Sequence, residues 1–346
     1  MNPLLWRLFR KSETSLHELS YLFWECTTRC NLHCRHCGSD CGVQQREPDM
    51  PLEDFLRALD TLPPLEAGEG FVVVLTGGEP LLRPDLAECG RAIRKHGWAW
   101  SIVSNGYFYD EARQAELLDA GLGALTISLD GLEESHNWMR GNPYGFEKAL
   151  RAIKTAASAP RLTWDVVTCV NKRNFRELPE LHALLESVGV PQWRLFTIIP
   201  IGRAASDPDM RLDGDEVRGL MEFIKACREK PSKMKTTFSC EGWLGPYEGV
   251  VRDTPAFCRA GINIASVLID GRICACPNVD RDVFSQGNIY EDNLYEVWKK
   301  GFKPFRDRKW TRTGPCEGCR AWKDCLGGGM HNWHGCLDVP LECYHL

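Results

Sequence analysis

Cys30, Cys34 and Cys37 stand in the spacing C-x3-C-x2-C, within Cys30-Asn31-Leu32-His33-Cys34-Arg35-His36-Cys37. Three thiolates so placed can ligate three irons of a cubane, and the fourth iron then keeps a position open for a substrate or cofactor. A structural zinc site wants four ligands, normally as paired C-x2-C units. Cys26 and Cys41 flank the run, so zinc or a redox disulfide is the competing chemistry. A second concentration lies near the other end: Cys258, Cys276, then Cys316-x2-Cys319-x5-Cys325, and finally Cys343. Zinc bound by Cys316, Cys319, Cys325 and a later cysteine is the alternative there.

The distribution decides between bridges and metal. Of 17 cysteines, five fall between Cys26 and Cys41 and nine between Cys240 and Cys343. Disulfide scaffolds are typically small, with cysteines spread throughout. Two clusters flanking a cysteine-poor middle read as metal sites in a reducing compartment, which implies a cytoplasmic protein. Between them lie short polar segments: Thr76-Gly77-Gly78-Glu79-Pro80, Ser104-Asn105-Gly106, Ser128-Leu129-Asp130-Gly131 and Arg140-Gly141. Each alone is ordinary turn chemistry. Two glycines allow close backbone approach, a carboxylate can accept from an ammonium group, and a guanidinium suits a carboxylate.

The elements that must position these residues are legible from periodicity. Strands are expected at Tyr21–Glu25, Phe71–Leu75, Trp98–Val103, Ala124–Leu129, Leu162–Thr168 and Trp193–Thr197. Helical apolar spacing marks Leu52–Leu62, Leu86–His96, Arg113–Ala120, Tyr144–Ala157 and Phe175–Val188. Pro51 and Pro84 suit first turns, and Gly97, Gly121 and Gly189 suit C-terminal caps. Six strand–helix units of this kind imply a parallel sheet covered on its outer face, an α/β fold built as a partial (β/α)6 TIM-type barrel. The cysteine triplet follows the first strand, and the polar segments follow the second, third and fourth, at the end where such folds assemble active sites. Beyond about residue 235 the pattern breaks into Gly-, Pro- and Cys-rich segments, with one clear helical stretch at Leu294–Lys300. That part is expected to fold around metal rather than around an apolar core of its own. The expected domains are therefore an N-terminal amphipathic segment over 1–20, the partial barrel over 21–235 and a Cys-rich iron–sulfur domain over 236–346.

Composition sets further bounds. The 346 residues are 43% hydrophobic and 26% charged, ordinary for a folded globular chain. A net charge of -5, with no basic run interleaved with aromatics, argues against nucleic acid as a partner. Met1–Lys11 carries Leu4, Leu5, Trp6, Leu8 and Phe9 beside Arg7, Arg10 and Lys11, without the long apolar core of a signal peptide. It reads as a short amphipathic helix packed on the domain, with a membrane-surface anchor as the alternative. No stretch is apolar enough for a membrane span.

Taken together, the triplet and the ordered polar motifs resemble the radical S-adenosylmethionine (SAM) superfamily, over nearly the whole chain. The resemblance implies that Cys30, Cys34 and Cys37 hold a 4Fe-4S cluster that cleaves SAM to a 5′-deoxyadenosyl radical, which abstracts hydrogen from a substrate. It also implies that His36 stacks on adenine, that Gly77, Gly78 and Glu79 receive the methionyl amine, and that Ser104, Asn105, Ser128, Asp130 and Arg140 lie near the ribose and carboxylate. An electron donor such as flavodoxin or ferredoxin is implied as a partner; no catalytic residue beyond these is nominated.

The C-terminal spacing resembles the SPASM extension of that superfamily, which binds one or two auxiliary 4Fe-4S clusters and is commonest in enzymes that modify peptides or proteins. Cys258 and Cys276 match ligands of one cluster; Cys316, Cys319, Cys325 and Cys343 match those of the other. One departure stands out: the pattern has a cysteine four positions after the one matching Cys325, and this chain has Gly329. Cys274, Cys240 or Cys336 are the candidate substitutes, otherwise that cluster is open to substrate or absent, while His331 and His334 are expected to pack or face solvent. Sulfatase-maturing relatives carry an acidic residue after the cysteine matching Cys276; here Pro277 has nothing to ionise, which argues against that substrate class. Asp280 and Asp282 are too loosely placed to take that role. The leading expectation is a peptide- or protein-modifying enzyme. The alternatives are action on a small molecule or cofactor precursor and, from another class, a non-catalytic electron-transfer protein. The short stretch ahead of Cys30 leaves no room for an appended leader-binding domain, so precursor recognition would use the barrel mouth, the C-terminal region or a separate partner.

Overall fold

The structure, a computed structural model, describes residues 3–43, 47–64, 70–240, 242–335 and 338–343; Cys336 lies outside them. An amphipathic helix α1 (Pro3–Leu16) precedes β1 (Tyr21–Thr27). There follow α2 (Leu52–Leu59), β2 (Val72–Gly77), α3 (Leu86–Lys95), β3 (Ala99–Ser104), α4 (Glu111–Asp119), β4 (Leu122–Ser128), α5 (Glu133–Arg140) and α6 (Gly145–Ala157). Then come β5 (Thr163–Cys169), α7 (Leu178–Val188), β6 (Gln192–Phe196), α8 (Gly214–Glu229), β7 (Lys235–Phe238), β8 (Ile264–Val267), β9 (Arg272–Cys274) and β10 (Gly287–Asn288). All six expected strands and all five expected helices are present, with ends shifted by a few residues.

Strands β1 to β7 pair in sequence order and in parallel, from Tyr21 opposite Val72 to Leu195 opposite Phe238. Parallel strands need crossovers, and each helix supplies one while covering the sheet with its apolar stripe. Trp24 of β1 stacks on Phe55 of α2 with centroids 4.0 Å apart. Gly90 of α3 lets the ring of Trp100 in β3 lie against the helix, for a Cβ there would stand 2.3 Å from Cζ2. Among the described residues the sheet has ten strands in the order β10-β9-β8-β1-β2-β3-β4-β5-β6-β7, so β7 is an edge and the barrel is partial.

The periodicity missed four elements around this sheet. α8 opens on a capping box between Asp213 and Glu216 and buries Val217, Leu220, Met221 and Ile224, a helical i, i+3, i+4, i+7 stripe. α5, in contrast, is mostly polar, and its burial of His136, Met139 and Arg140 reflects the site it lines. β7 extends the sheet across residue 235, and β8 adds to the other side of β1 in parallel.

The C-terminal part also differs from expectation, because it does contain apolar packing. Phe284, Trp298, Phe302, Phe305 and Trp333 are buried, with Trp298 and Phe302 centroids 5.0 Å apart and Trp310 edge-on to Trp333 at 5.1 Å. These aromatics are widely spaced in sequence, so no periodic pattern announces them. Helix α1 docks on this part. Trp6 meets Phe257 edge-on, Arg7 pairs with Asp324 at 2.7 Å, and Arg10 donates to the carbonyls of Lys323 and Asp324. Leu4, Leu5 and Leu8 of α1 stay exposed.

Replacing Gly90 by Ala should destabilise the protein by about 1–3 kcal/mol, since the added methyl must displace a fully buried Trp100. Gly123→Ala on β4, with only Trp100 O at 3.5 Å from the new atom, is the control expected to be near neutral in the same denaturation experiment.

Candidate active site and cluster sites

The loop carrying Cys30, Cys34 and Cys37 leaves the C-terminal end of β1 and is held by backbone contacts on three sides. Gly78 N donates to Thr27 O and Glu79 N to Arg29 O, both at 2.8 Å. A Cβ at Gly78 would lie 2.1 Å from Arg29 O, so the Gly77–Gly78 pair admits the chain's own loop. On a second side His33 N and Arg35 N donate to Arg140 O and Met139 O at the end of α5. On the third, Gly202, at φ 55, sits where a Cβ would meet Cys37 O at 2.4 Å, and the next residue, Arg203, donates from Nε to Cys34 O at 2.6 Å and from Nη1 to Asp40 and Cys41 O. Sequence reasoning did not find Arg203; nothing in its local spacing marks it, because its role comes from the turn after β6 folding back on the loop.

The sequence-nominated polar residues gather on the same rim. Glu79 is 1% exposed, and its carboxylate accepts from Leu81 N (3.1 Å), Ser104 Oγ (2.8 Å) and Asn105 N (2.7 Å). Burial pushes its pKa up, while these donors oppose the shift. It ties the ends of β2 and β3 together and so aims Asn105, whose Nδ2 lies 4.0 Å from Cys30 Sγ. Ser128 ends β4, buried at 8%. Asp130, with no exposed surface, pairs through Oδ2 with Arg140 Nε at 2.6 Å and accepts Cys169 N through Oδ1 at 2.9 Å. Arg140 Nη1 reaches to 3.7 Å from Cys34 Sγ. His36 is half-buried, with Nδ1 shut away from solvent; burial pushes its pKa down to about 4, so the ring is neutral at physiological pH.

The three thiols form a largely buried donor set. Burial pushes Cys30 up to about 12, with Cys34 and Cys37 among the neighbours that raise it further. Cys34 is raised by burial and lowered by the Arg140 guanidinium. Cys37 is the one pushed down, to about 6, chiefly by the hydrogen bond its sulfur accepts from Cys41. A bound cation would favour all three thiolates and release their protons. Cys26, by contrast, is fully buried in β1 with its sulfur against Thr76 O, which removes one of the two flanking cysteines from the ligand set. None of the described cysteines is in a disulfide. Among the described residues, only His36, Asp130 and Cys169 bring three ligand atoms of the metal-binding kinds within 4.8 Å of one another, and Asp130 is already committed to Arg140. Tetrahedral zinc, with ligand bonds of about 2.0–2.3 Å, would need such closeness among the thiols.

In the C-terminal part, Cys316, Cys319, Cys325 and Cys343 converge. Burial, then Cys325, Cys343 and Cys319, push Cys316 up to about 11. The amides of Trp243, Gly327 and Gly328 point at Cys325 and favour its thiolate. Amide donors of this kind suit cluster-bound sulfur. His334 is exposed beside Asp280 at 3.5 Å and His331 is buried at 6% exposure, so one ring faces solvent and the other packs, as expected.

Comparison with known proteins agrees with this arrangement. The Radical SAM superfamily model matches residues 24–185, and the SPASM iron-sulfur cluster-binding domain matches 258–320. The chain belongs to the radical SAM superfamily and carries a C-terminal SPASM domain, which together imply a SAM-binding 4Fe-4S cluster and auxiliary clusters. It is similar to the AdoMet-dependent heme synthase of Oleidesulfovibrio alaskensis, at 26% identity over 88% of this chain and 81% of that protein. It is also similar to the mycofactocin maturase MftC of Mycolicibacterium smegmatis, at 28% identity over 94% of this chain and 81% of that one. In fold it matches Streptococcus suis SuiB bound to S-adenosylmethionine, with a TM-score of 0.72 and 16% identity over 96% of this chain and 79% of that one. No described helix is long and apolar enough to cross a membrane.

Two outcomes test the site. Arg203→Ala should lower iron retention by the Cys30 loop by roughly 10–100-fold in affinity, read as faster release to a chelator, while iron in the C-terminal part is unchanged. The second concerns His136, whose Nδ1 accepts Asp130 N at 2.9 Å. Burial, then the Arg140 charge, hold it down at about 3, against about 6.5 for an unfolded histidine. Its contribution to stability is complete above about pH 6.5 and is lost as pH falls toward 3, by about 1.4 kcal/mol per unit. His136→Gln, which keeps an acceptor, should flatten that slope in pH-dependent unfolding; equal slopes would show that the ring is not the acid-sensitive group.

Proposed function

We propose that this chain is a peptide- or protein-modifying radical SAM enzyme that abstracts a hydrogen atom from a substrate side chain or backbone at the barrel mouth. The observation that carries the reading is the placement of Cys30, Cys34 and Cys37 at the C-terminal end of a parallel sheet, with Asn105 and Arg140 aimed at two of the sulfurs. When bound, a 4Fe-4S cluster with one open iron supplies the electron that breaks the carbon–sulfur bond of SAM and so provides the 5′-deoxyadenosyl radical.

The chain's own residues hold and orient. Cys30, Cys34 and Cys37 are the proposed ligands, and the Arg140 guanidinium, fixed by Asp130, would hold the cofactor's carboxylate. His36 would offer its ring to adenine. Gly77, Gly78 and Glu79 would receive the methionyl amine, with Ser104, Asn105 and Ser128 around it. Cys316, Cys319, Cys325 and Cys343 are the proposed ligands of an auxiliary cluster.

A peptide substrate is supported by the likeness to a mycofactocin maturase and to SuiB, which has also been solved with its precursor peptide SuiA. It also fits the charges on the rim. Arg29, Arg35, Arg173 and Arg203 are each paired, with Asp49, Asp207, Glu134 and Asp40 respectively, so these four cations are committed within the protein rather than offered to a polyanion. The likeness to heme synthases favours a second reading, an iron–tetrapyrrole or other small substrate. A flavodoxin- or ferredoxin-type protein would deliver the electron.

Anaerobic reconstitution with SAM, reductant and either a candidate precursor peptide or an iron porphyrin, followed by mass spectrometry, separates the two readings. Modification of the peptide alone is expected, and modification of the porphyrin alone would replace the first reading by the second. Cys34→Ala should reduce 5′-deoxyadenosine formation by more than the roughly 10–100-fold that losing a partner behind a ligand costs, with the auxiliary iron retained. Cleavage persisting in that variant would remove the assignment of the triplet.

A further inference from the structure

Strand faces decide which side chains look into the barrel. Trp193 of β6 packs edge-on against Phe223 of α8 at 6.1 Å and lies 5.9 Å from His182 of α7, while its Nε1 donates to Thr168 Oγ1 of β5 at 2.8 Å. Trp193 and Thr168 therefore face the helices. By the alternation of strands, Arg194 and Phe196 of β6 and Asp165, Val167 and Cys169 of β5 then face the lumen. Asp165 pairs with Thr126, which puts Thr126 and Ser128 of β4 on the same inner face. Along β6 the outer residues Trp193 and Leu195 are buried, whereas Gln192, Arg194 and Phe196 keep part of their surface exposed. A barrel of this type ordinarily fills its interior with bulky apolar side chains, so an inner face that solvent reaches is space a ligand can enter.

A charged network stands on that inner face. Arg194 Nε donates to Asp165 Oδ2, Arg194 Nη2 donates to Thr126 Oγ1 at 3.1 Å, and Thr126 Oγ1 donates to Asp165 Oδ1 at 2.7 Å. The guanidinium also lies over the Phe196 ring, 5.7 Å from its centroid. The side chain of Asp165 is 12% exposed and that of Arg194 31%. A guanidinium carries its N–H donors in one plane, and this network takes up only the Nε–Nη2 edge. The Nη1–Nη2 edge stays open, a fork whose spacing matches the two oxygens of a carboxylate. Asp165, Thr126 and Phe196 already hold the side chain, so little rotamer freedom is lost when an anion arrives. Its position also suits a substrate. Ser128 pairs with Val167 and Val167 with Arg194, so Arg194 stands on the cross-strand row of Ser128, two strand spacings or about 10 Å away. From that row the side chain turns toward Asp165 and Thr126, which precede Val167 and Ser128 on their strands and lie deeper in the barrel than the rim that carries the Cys loop.

We propose that the open edge of Arg194 receives a carboxylate of the substrate, whose anionic group is seated in the lumen while the carbon to be attacked lies nearer the rim. The assignment rests on the proposed hydrogen abstraction at the barrel mouth and deepens it by naming a group that the substrate must carry. An acidic side chain of a peptide and a propionate of a porphyrin present the same two oxygens and meet the fork in the same way. Because Asp165 already balances the charge of Arg194, the site suits a single carboxylate rather than a polyanion.

The test is equilibrium binding to the full reconstituted chain, measured by titration calorimetry with SAM present and reductant left out. One arm compares an iron porphyrin bearing free propionates with its propionate methyl ester. The other compares a candidate precursor peptide with the same peptide carrying its Asp and Glu side chains as amides. In the arm that matches the substrate, the acid should bind roughly 10–100-fold more tightly than its neutral counterpart. Arg194→Gln combined with Asp165→Asn removes both charges together, so that neither is left alone in the barrel, and should abolish that preference. Arg194→Lys keeps a cation beside Asp165 without the fork and should retain only part of it. Comparison of the acid with its neutral form needs no substitution, so it decides the matter even where the variants fold poorly. Equal binding of the two forms in both arms, binding of neither, or a preference that survives the double change would overturn the assignment. Formation of 5′-deoxyadenosine by the unaltered chain, measured alongside with reductant added, separates that failure from a wider one. Its presence with no preference for the acid removes the role of Arg194 alone; its absence removes the proposed activity and this role with it.

Discussion

The buried pair of Asp130 and Arg140 is the contact through which the site is assembled. A carboxylate with no exposed surface faces a guanidinium exposed at 8%, at 2.6 Å. Separating such a pair, or removing one partner, leaves an uncompensated charge in a low-dielectric interior and is strongly destabilising, typically by about 3–5 kcal/mol. The pair joins four elements. Asp130 follows β4 and accepts from Cys169 at the end of β5, while Arg140 ends α5, receives the Cys loop through its carbonyl and extends its guanidinium to Cys34. The cost of burying the two charges is offset only if all of these donors and acceptors stay in register, so the pair enforces one arrangement of the barrel mouth.

Around that contact the Cys loop is enclosed largely by backbone, with the Arg203 guanidinium bound across it. Gly78, Gly141 and Gly202 each stand where a Cβ would collide with a carbonyl of the loop. Contacts of this kind leave the loop few ways to move, since backbone cannot change rotamer to make room. Three thiols are thereby presented together, and burial raises the pKa of Cys30 and Cys34. The resulting site is organised beforehand and gains its charge only when a cation arrives.

The C-terminal part combines two sources of order. Aromatic packing of Trp298, Phe302, Phe305 and Trp333 gives it an apolar centre continuous with that of the barrel. Convergence of cysteines brings its remaining loops together. Helix α1 closes over the turn that carries Cys325 through Arg7 and Arg10, so the two ends of the chain stabilise one another. Strand β8 pairs with β1, and the buried Glu25 of β1 accepts from Arg281 at 2.9 Å and from Ile269 N at 3.0 Å. The Cys loop and the C-terminal cysteines are thus coupled through one strand.

Much of this was legible in the residues alone. The six strands and five of the helices follow from local periodicity, and the triplet and C-terminal spacings name most of the sulfur ligand candidates, because a loop that binds a cluster must carry its cysteines at short, fixed separations. What sequence could not disclose are relations between residues far apart in the chain. Arg203 reaches the Cys loop from 169 positions away. The glycines of the Gly77–Gly78 pair admit the chain's own backbone at Arg29. Cys26 lies in the core while Cys41 faces Cys37. The imidazole of His331 fills the space beside Gly329. Periodicity records which face of an element is buried and says nothing of what meets it there. Local spacing therefore determined the chemistry available to this protein, and only the packing of distant segments against one another decided which of those groups stand together.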